Sequence, residues 1–285
     1  MIRPRDVTRG VELFPALTPT LPPATHTNSY ALGEREVLLV EPATPHDDER
    51  RAWLEWARGI EAAGRTLVAL VLTHHHADHV GGAEFLSREL GLPIWAHEAT
   101  AARLPAIEVR RTLADGEEIT LDGASPQRWR ALHTPGHAPG HLCFYNEEGC
   151  ALVVGDMVAS VGTILIEPND GDMAEYLAQL ERLAALDALV ALPAHGEPID
   201  APSGLFRRYV THRLMREAKV IDVLDRLTRS HAAGASSEAL VPEVYADTSP
   251  MMWPIARLSL EAHLIKLERE GRAARHGDLW SASTK

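Results

Sequence analysis

Between residues 35 and 199 short apolar runs alternate with stretches whose apolar positions recur at helical spacing. EVLLVEP and TLVALVLT are brief and rich in β-branched or aliphatic residues, which predicts buried strands. Residues 47–63 between them are amphipathic and closed by Gly64, which predicts a helix. Residues 82–90 predict another helix, ended by Gly91, and LPIWAHE a further strand. DGEEITLDG, WRALHTPGH and HLCFYNEEGCALVVGD are turn-rich and predict hairpins. Residues 172–186 then predict a helix, and ALVALPAHG a buried strand ending in histidine and glycine. Hairpins demand antiparallel neighbours, so a doubly wound parallel sheet does not fit. Two mixed sheets packed face to face with helices outside do, an α/β sandwich.

After APSG the pattern changes. Residues 208–229 form a long helical pattern with Val210, Leu214, Val220, Ile221, Leu224 and Leu227 on its apolar side. Ser236 or Ser237 can cap a second helix running to Tyr245. A third covers residues 254–270, stopped by Gly271, and GRAARHGDLWSA predicts a hairpin around Gly277. Three helices and a hairpin trace a winged helix; a helical cap over the core would give the same pattern. The predicted division is residues 1–204 for a catalytic domain and 205–285 for a winged-helix-like C-terminal domain.

Composition changes little in this picture. The chain has 285 residues, 45% apolar and 24% charged, as in ordinary globular proteins. No apolar run is long enough for a membrane span, and MIRPRDVTRGVELF lacks an apolar signal core, so a cytoplasmic protein is expected. Cys143 and Cys150 are seven apart, not C-x-x-C, and are expected as two buried thiols. Charge does change it. Residues 1–206 hold 15 Lys+Arg against 30 Asp+Glu and residues 207–285 hold 13 against 10, giving the net −12. An acidic body repels polyanions, and only the mildly basic tail hints at nucleic acid.

The chemistry sits in VLTHHHADHVGG, four histidines and an aspartate within six residues. His74 and His76, two apart at a strand end, point the same way. Asp78 and His79 follow in the turn, making two ligand pairs, one for each of two metal ions. His137 in HTPGHAPGH, Asp156 in LVVGDMV and His195 in ALPAHGEP end later strand-like runs beside glycine and are further candidates.

H-x-H-x-D-H, a histidine after T-P-G, G-D, and a histidine before glycine, in this order, resemble the metallo-β-lactamase superfamily. The resemblance implies an αββα sandwich. It implies His74, His76 and His137 on a first metal, Asp78, His79 and His195 on a second, and Asp156 bridging. Imidazole and carboxylate without thiolate suit zinc, and manganese or iron also fit. Two such ions would generate hydroxide near neutral pH, with Asp78 holding it in line, and the class implied is a metal-dependent hydrolase. His75 points the opposite way and is expected to be packed or hydrogen-bonded. His133 and His141 match no ligand position and are expected in supporting or surface roles. His26, His46, His97, His231 and His276 are read as ordinary residues.

The substrate must be read from outside the ligands. The lactamase branch with a cysteine ligand would need Cys where Asp156 stands. The large insert of RNA-processing nucleases has no room here, and no arm like that of tRNA 3′-processing enzymes is evident. YVTHRLMREAKVIDVL, LEAHLIKLEREGRA and VGTILIEPNDGDMAEYLAQLERL resemble the β-lactamase-like protein 2 family, with similarity across about residues 10–282. That resemblance implies a single-strand-specific endoribonuclease, with His212, Arg213, Arg216, His263 and Lys266 as phosphate-side groups. Arg213 and Arg216 would alternatively pair with Glu217 and its neighbours to fasten tail to body. Asn28 and Tyr30, in a loop the superfamily places near its metals, and Thr163 are substrate-contact candidates or turn residues. The alternative function is a glyoxalase II-like hydrolase of a small ester or thioester, favoured by a pocket without basic lining. A non-catalytic DNA-reading module ranks last, because it needs no open ligand set. Trp53, Trp56 and Met251–Trp253 would cover an interface or seal the two domains together.

Overall fold

A computed structural model describes residues 3–230 and 234–283; His231 lies outside them. The chain forms β1 (Arg5–Thr8), β2 (Val11–Leu17), β3 (His26–Leu32), β4 (Glu36–Val40), α1 (Asp47–Ala62), β5 (Thr66–Val71), α2 (Ala77–Val80), α3 (Ala83–Leu90), β6 (Ile94–Ala96), α4 (Glu98–Arg103) and β7 (Val109–Thr112). These seven strands make one sheet in sequence order. There follow β8 (Glu118–Leu121), β9 (Gln127–His133), β10 (Leu142–Asn146), β11 (Ala151–Gly155), α5 (Met173–Ala184), β12 (Val190–Pro193) and β13 (Ile199–Asp200), whose strands form a second sheet of order β13-β12-β11-β10-β9-β8. Both sheets are mixed, with β4 to β7 parallel in the first and only β11–β12 parallel in the second.

The layers follow from which faces are apolar. Leu13, Tyr30, Leu38, Val40 and Val71 meet Trp129, Phe144, Val153 and Leu192 between the sheets. The outer face of the first sheet packs under α1 and α3, where Trp53 and Trp56 are buried with Phe14 and Leu39. The tryptophans therefore serve neither an interface nor a domain contact. The outer face of the second sheet is covered by α5 and the start of α6 (Ser203–Ser230), through Tyr176, Leu180 and Phe206. This is the expected αββα order.

The tail continues with β14 (Ala235–Ser236), α7 (Ser237–Val244), α8 (Trp253–Arg269), β15 (Ala273–His276) and β16 (Leu279–Ala282). Ser236 caps α7 by accepting from Ala239 N, and Gly277 makes the hairpin turn with φ of 63°. Val220, Leu224, Leu240, Val244, Leu260, Leu264 and Trp280 form its own core. The three strands join as a small sheet, so a winged helix stands where the sequence alone also allowed a plain helical cap. The border drawn after residue 204 falls just inside α6, which runs unbroken from the body into the tail.

Three expectations are corrected. THTNSYAL lies in β3, paired along its length with β2, not in a loop. Leu214 is 46% exposed, since the α6 turns around it pack through Val210, Arg213 and Glu217. Cys143 is buried, but Cys150 is only partly so, in the β10–β11 turn with φ of 49°. Among the described residues no helix is long and apolar enough to cross a membrane.

Candidate metal centre

All seven expected ligands come together at one edge of the sandwich. His74 and His76 leave the end of β5, and α2, a single turn, places Asp78 and His79. His137 lies in the turn after β9, Asp156 just after β11 and His195 just after β12. Gly136 has φ of 129°, and a Cβ there would sit 2.3 Å from Tyr176 N, so the close seating of this turn on α5 needs glycine.

Two groups result. Ligand atoms of His74, His76 and His137 lie within 4.8 Å of one another, as do those of Asp78, His79 and His195. Asp156 spans them. Its Oδ2 is 3.5 Å from His137 Nε2 and 3.6 Å from His79 Nε2, and its Oδ1 is 3.4 Å from His195 Nε2.

The hydrogen bonds behind each ring decide which nitrogen is bare. His137 Nδ1 donates to Leu165 O at 2.9 Å and His195 Nδ1 to His26 O at 3.0 Å, because a carbonyl can only accept. His76 Nε2 donates to Asp170 Oδ2 at 2.8 Å. Thr73 must give its hydroxyl proton to the Glu41 carboxylate, so His74 Nδ1 donates to Thr73 Oγ1 at 2.9 Å. The inner nitrogens of His74, His76 and His137 therefore carry lone pairs, and they converge at 3.0 to 3.2 Å from one another. Without a cation that arrangement is repulsive. A tetrahedral ion about 2.0–2.1 Å from each nitrogen would separate them by roughly 3.3 Å, so the triad fits a metal.

The electrostatics divide the same way. Burial, aided by neighbouring histidines, holds His74 well below its ordinary pKa. Burial lowers His137 to about 4 against the pull of Asp156. Neutral rings are what ligation requires. On the other side burial is outweighed: Glu41, Asp156 and Asp78 raise His79 well above normal, and Asp156 raises His195. Asp156 itself is held well below the carboxylate range, since His195 and His79 overcome the cost of burying it. This half of the site is built for positive charge.

His141 is buried behind Asp156 in a supporting role. Its Nε2 accepts from Asp156 N at 3.0 Å, so its Nδ1 donates to Thr134 Oγ1 at 2.8 Å. His75 faces away from the inner cluster with Nε2 3.2 Å from Asp170, and His133 stacks on His97 at 3.9 Å. Sequence reasoning missed Glu41, Thr73 and Asp170. Glu41 and Thr73 stand just past the ends of the two strands that lead into the site, a signal that was available. Asp170 is 94 residues from His76, and nothing in the sequence joins them.

The expected substrate contacts are placed otherwise. Asn28 is buried, and its Nδ2 donates to Pro193 O and Gly196 O at 2.9 and 2.8 Å, bracing the turn that carries His195. Tyr30 OH also donates to Pro193 O. Thr163 is exposed on the loop after Asp156 and accepts from Arg213 at 3.2 Å. Arg213 is itself buried against that loop, and His263 is fully enclosed beside Glu217, its Nδ1 3.7 Å from Oε2. Arg216 is buried within the tail, bound to Val244 O and Asp247.

A profile of the metallo-beta-lactamase superfamily matches residues 22–195. The chain belongs to that superfamily. A profile of the beta-lactamase associated winged helix domain matches residues 236–280. A "Beta-lactamase-like protein 2 homolog" from Drosophila melanogaster is 28% identical over 86% of this chain and 83% of its own. An "Atrochrysone carboxyl ACP thioesterase" from Claviceps purpurea is 28% identical over 78% of this chain and 67% of its own. The crystal structure of a metallo-beta-lactamase family protein from Thermus thermophilus superposes with a TM-score of 0.76 at 25% identity, covering 96% of this chain and 99% of the other. As a superfamily member with this His/Asp cluster, the protein is a metal-dependent hydrolase.

Proposed function

We propose that the protein is a dinuclear zinc hydrolase of an ester or thioester with an apolar acyl or thiol part. The observation that carries this reading is the rim of the site. Leu21, in the β2–β3 turn that leads to His26 and its bond with His195, is 51% exposed, and Val161, in the loop after Asp156, is 57% exposed. The two segments meet where a Cβ on Gly162 would come 3.1 Å from Pro23 Cδ. Several cations around the site are committed: Arg5 to Glu197, Arg103 to Asp170, and Arg213 to Thr163 and Ile164. In the tail, Arg216 pairs with Asp247, Arg269 with Asp172 and Arg272 with Glu217. An RNA strand needs cations free to meet its phosphates, whereas an acyl chain needs an apolar lip. The thioesterase among the relatives agrees with the second requirement.

Five imidazoles and two carboxylates suit zinc and also admit manganese or iron. Bound ions of this kind supply an activated water at neutral pH and polarise a substrate carbonyl. Asp78 is the one ligand carboxylate partly open to solvent, with its oxygens 3.8 Å from His79 Nε2 and 3.7 Å from His195 Nε2. In this mechanism it takes the proton as water oxygen adds to the acyl carbon. The carbon–sulfur or carbon–oxygen bond then breaks, and the proton passes to the departing thiolate or alkoxide.

The test sets zinc-loaded protein against acyl thioesters of short and long chain, an aryl ester and a labelled single-stranded RNA, with Asp78→Ala in parallel. Acyl turnover that rises with chain length and vanishes in the variant is the expected result. Asp78-dependent RNA cleavage without acyl turnover would return the endoribonuclease reading.

A further inference from the structure

We propose that Arg213 and Tyr209, on the tail-bearing helix α6, are positioning residues for the metal ligand His137. The two are one helical turn apart, so both side chains leave α6 on the same side. Both end on the loop that follows Asp156. Arg213 Nη2 binds Thr163 Oγ1 at 3.2 Å and the Ile164 carbonyl. Tyr209 OH accepts from Ala159 N at 3.2 Å and has Ala159 O and Gly162 O at 3.2 and 3.4 Å. The residue after Ile164 is Leu165, whose carbonyl takes the Nδ1 proton of His137. That carbonyl fixes the tautomer and aim of the ring, and the tail helix fixes the loop that carries the carbonyl.

A second contact reaches the same place. The Arg213 guanidinium lies 5.6 Å above the ring centre of Tyr176. Tyr176 is fully buried, donates to Met157 O at 2.7 Å, and has its backbone against Gly136. Met157 follows Asp156 and Gly136 precedes His137, so the residue under Arg213 meets the neighbours of two ligands, one through its hydroxyl and one through its backbone. Arg213 is 4% exposed and its Nε has no hydrogen-bond partner among the described residues, an expensive placement for a charge that this loop and ring help to offset. The arrangement concerns metal retention and holds whatever the substrate is.

The experiment measures zinc affinity by competition with a chromogenic chelator in the full chain, alongside circular dichroism and the melting point of the metal-free form. Arg213→Met keeps the apolar stem and removes the hydrogen bonds. It should weaken one of the zinc equivalents about tenfold, the effect of losing an outer partner of a ligand, and leave the other unchanged. Arg213→Lys should recover part of the loss. Wild-type affinity in a folded Arg213→Met protein, or equal weakening of every equivalent, would overturn the proposal. If Arg213→Met does not fold, Tyr209→Phe decides in its place: selective loss in one equivalent sustains the proposal and an unchanged profile ends it.

Discussion

Glu41 Oε1 stands 3.3 Å from His79 Nδ1 in the fully enclosed floor of the site. The same carboxylate accepts the Thr73 hydroxyl that orients His74, so one side chain steadies a ligand in each half of the cluster. Its backbone has φ of 62°, uncommon for a residue with a Cβ, and is held there by a bond from Glu41 N to Val71 O. Glu41→Gln keeps the shape and removes the charge. Metal affinity should fall 10- to 100-fold with the fold intact, read by chelator competition; an unchanged affinity would show that the charge is not what matters.

Gly136→Ala should be among the most damaging single-methyl changes in the chain. The backbone strain at φ of 129° costs about 1–3 kcal/mol, and the methyl would press on Tyr176 N at 2.3 Å, adding overpacking of similar size. Urea unfolding should show a loss of at least about 2 kcal/mol, with zinc affinity reduced as well. A variant as stable as the parent would mean that the turn carrying His137 has slack that its packing does not reveal.

Glu217 predicts an acid limb in the stability of the tail. Burial raises its pKa, but the nearby His263 ring and Lys266, which donates a hydrogen bond at 2.7 Å, outweigh this and bring it down to about 2 from 4.5. A depressed carboxylate contributes stability that is complete above its unfolded pKa and is lost as pH falls through the folded one. Urea midpoints should therefore decline between about pH 4.5 and 2, and Glu217→Gln should be less stable at pH 7 but flatter across that window. Parallel curves for the two proteins would remove Glu217 as the cause.

Ion removal should be visible in stability as well as in activity. The three bare nitrogens that face one another at 3.0 to 3.2 Å are relieved only by a cation. At a thousandfold excess over its dissociation constant, a bound ion stabilises the fold by about 4 kcal/mol. Thermal unfolding in zinc against a strong chelator should differ by on the order of ten degrees. Coincident melting curves would count against ligation by this triad.

The ligands were legible because their signal is local: histidine and aspartate spacing at strand ends survives as text. The sandwich was legible for a related reason, since apolar strands and amphipathic helices alternate with periods set by the backbone. What surrounds the ligands was not. Asn28 looked like a substrate contact because its segment resembles a loop the superfamily places near its metals, yet its amide is consumed by Pro193 and Gly196, 165 and 168 residues away. Arg213 and His263 looked like phosphate contacts because they are basic, and burial against Thr163, Ile164 and Glu217 is a tertiary fact. Charge can be counted along a chain, but its partners cannot.

Helix α6 has 28 residues, a rod of about 42 Å with no break where the two domains meet. Domains joined by a loop can swing while the loop absorbs the motion, but a rod cannot absorb it. A push on the winged helix reaches the body as a tilt of the same helix whose first turns rest on α5. The tail is in that sense a handle, and its leverage falls on the ground beneath the ligands.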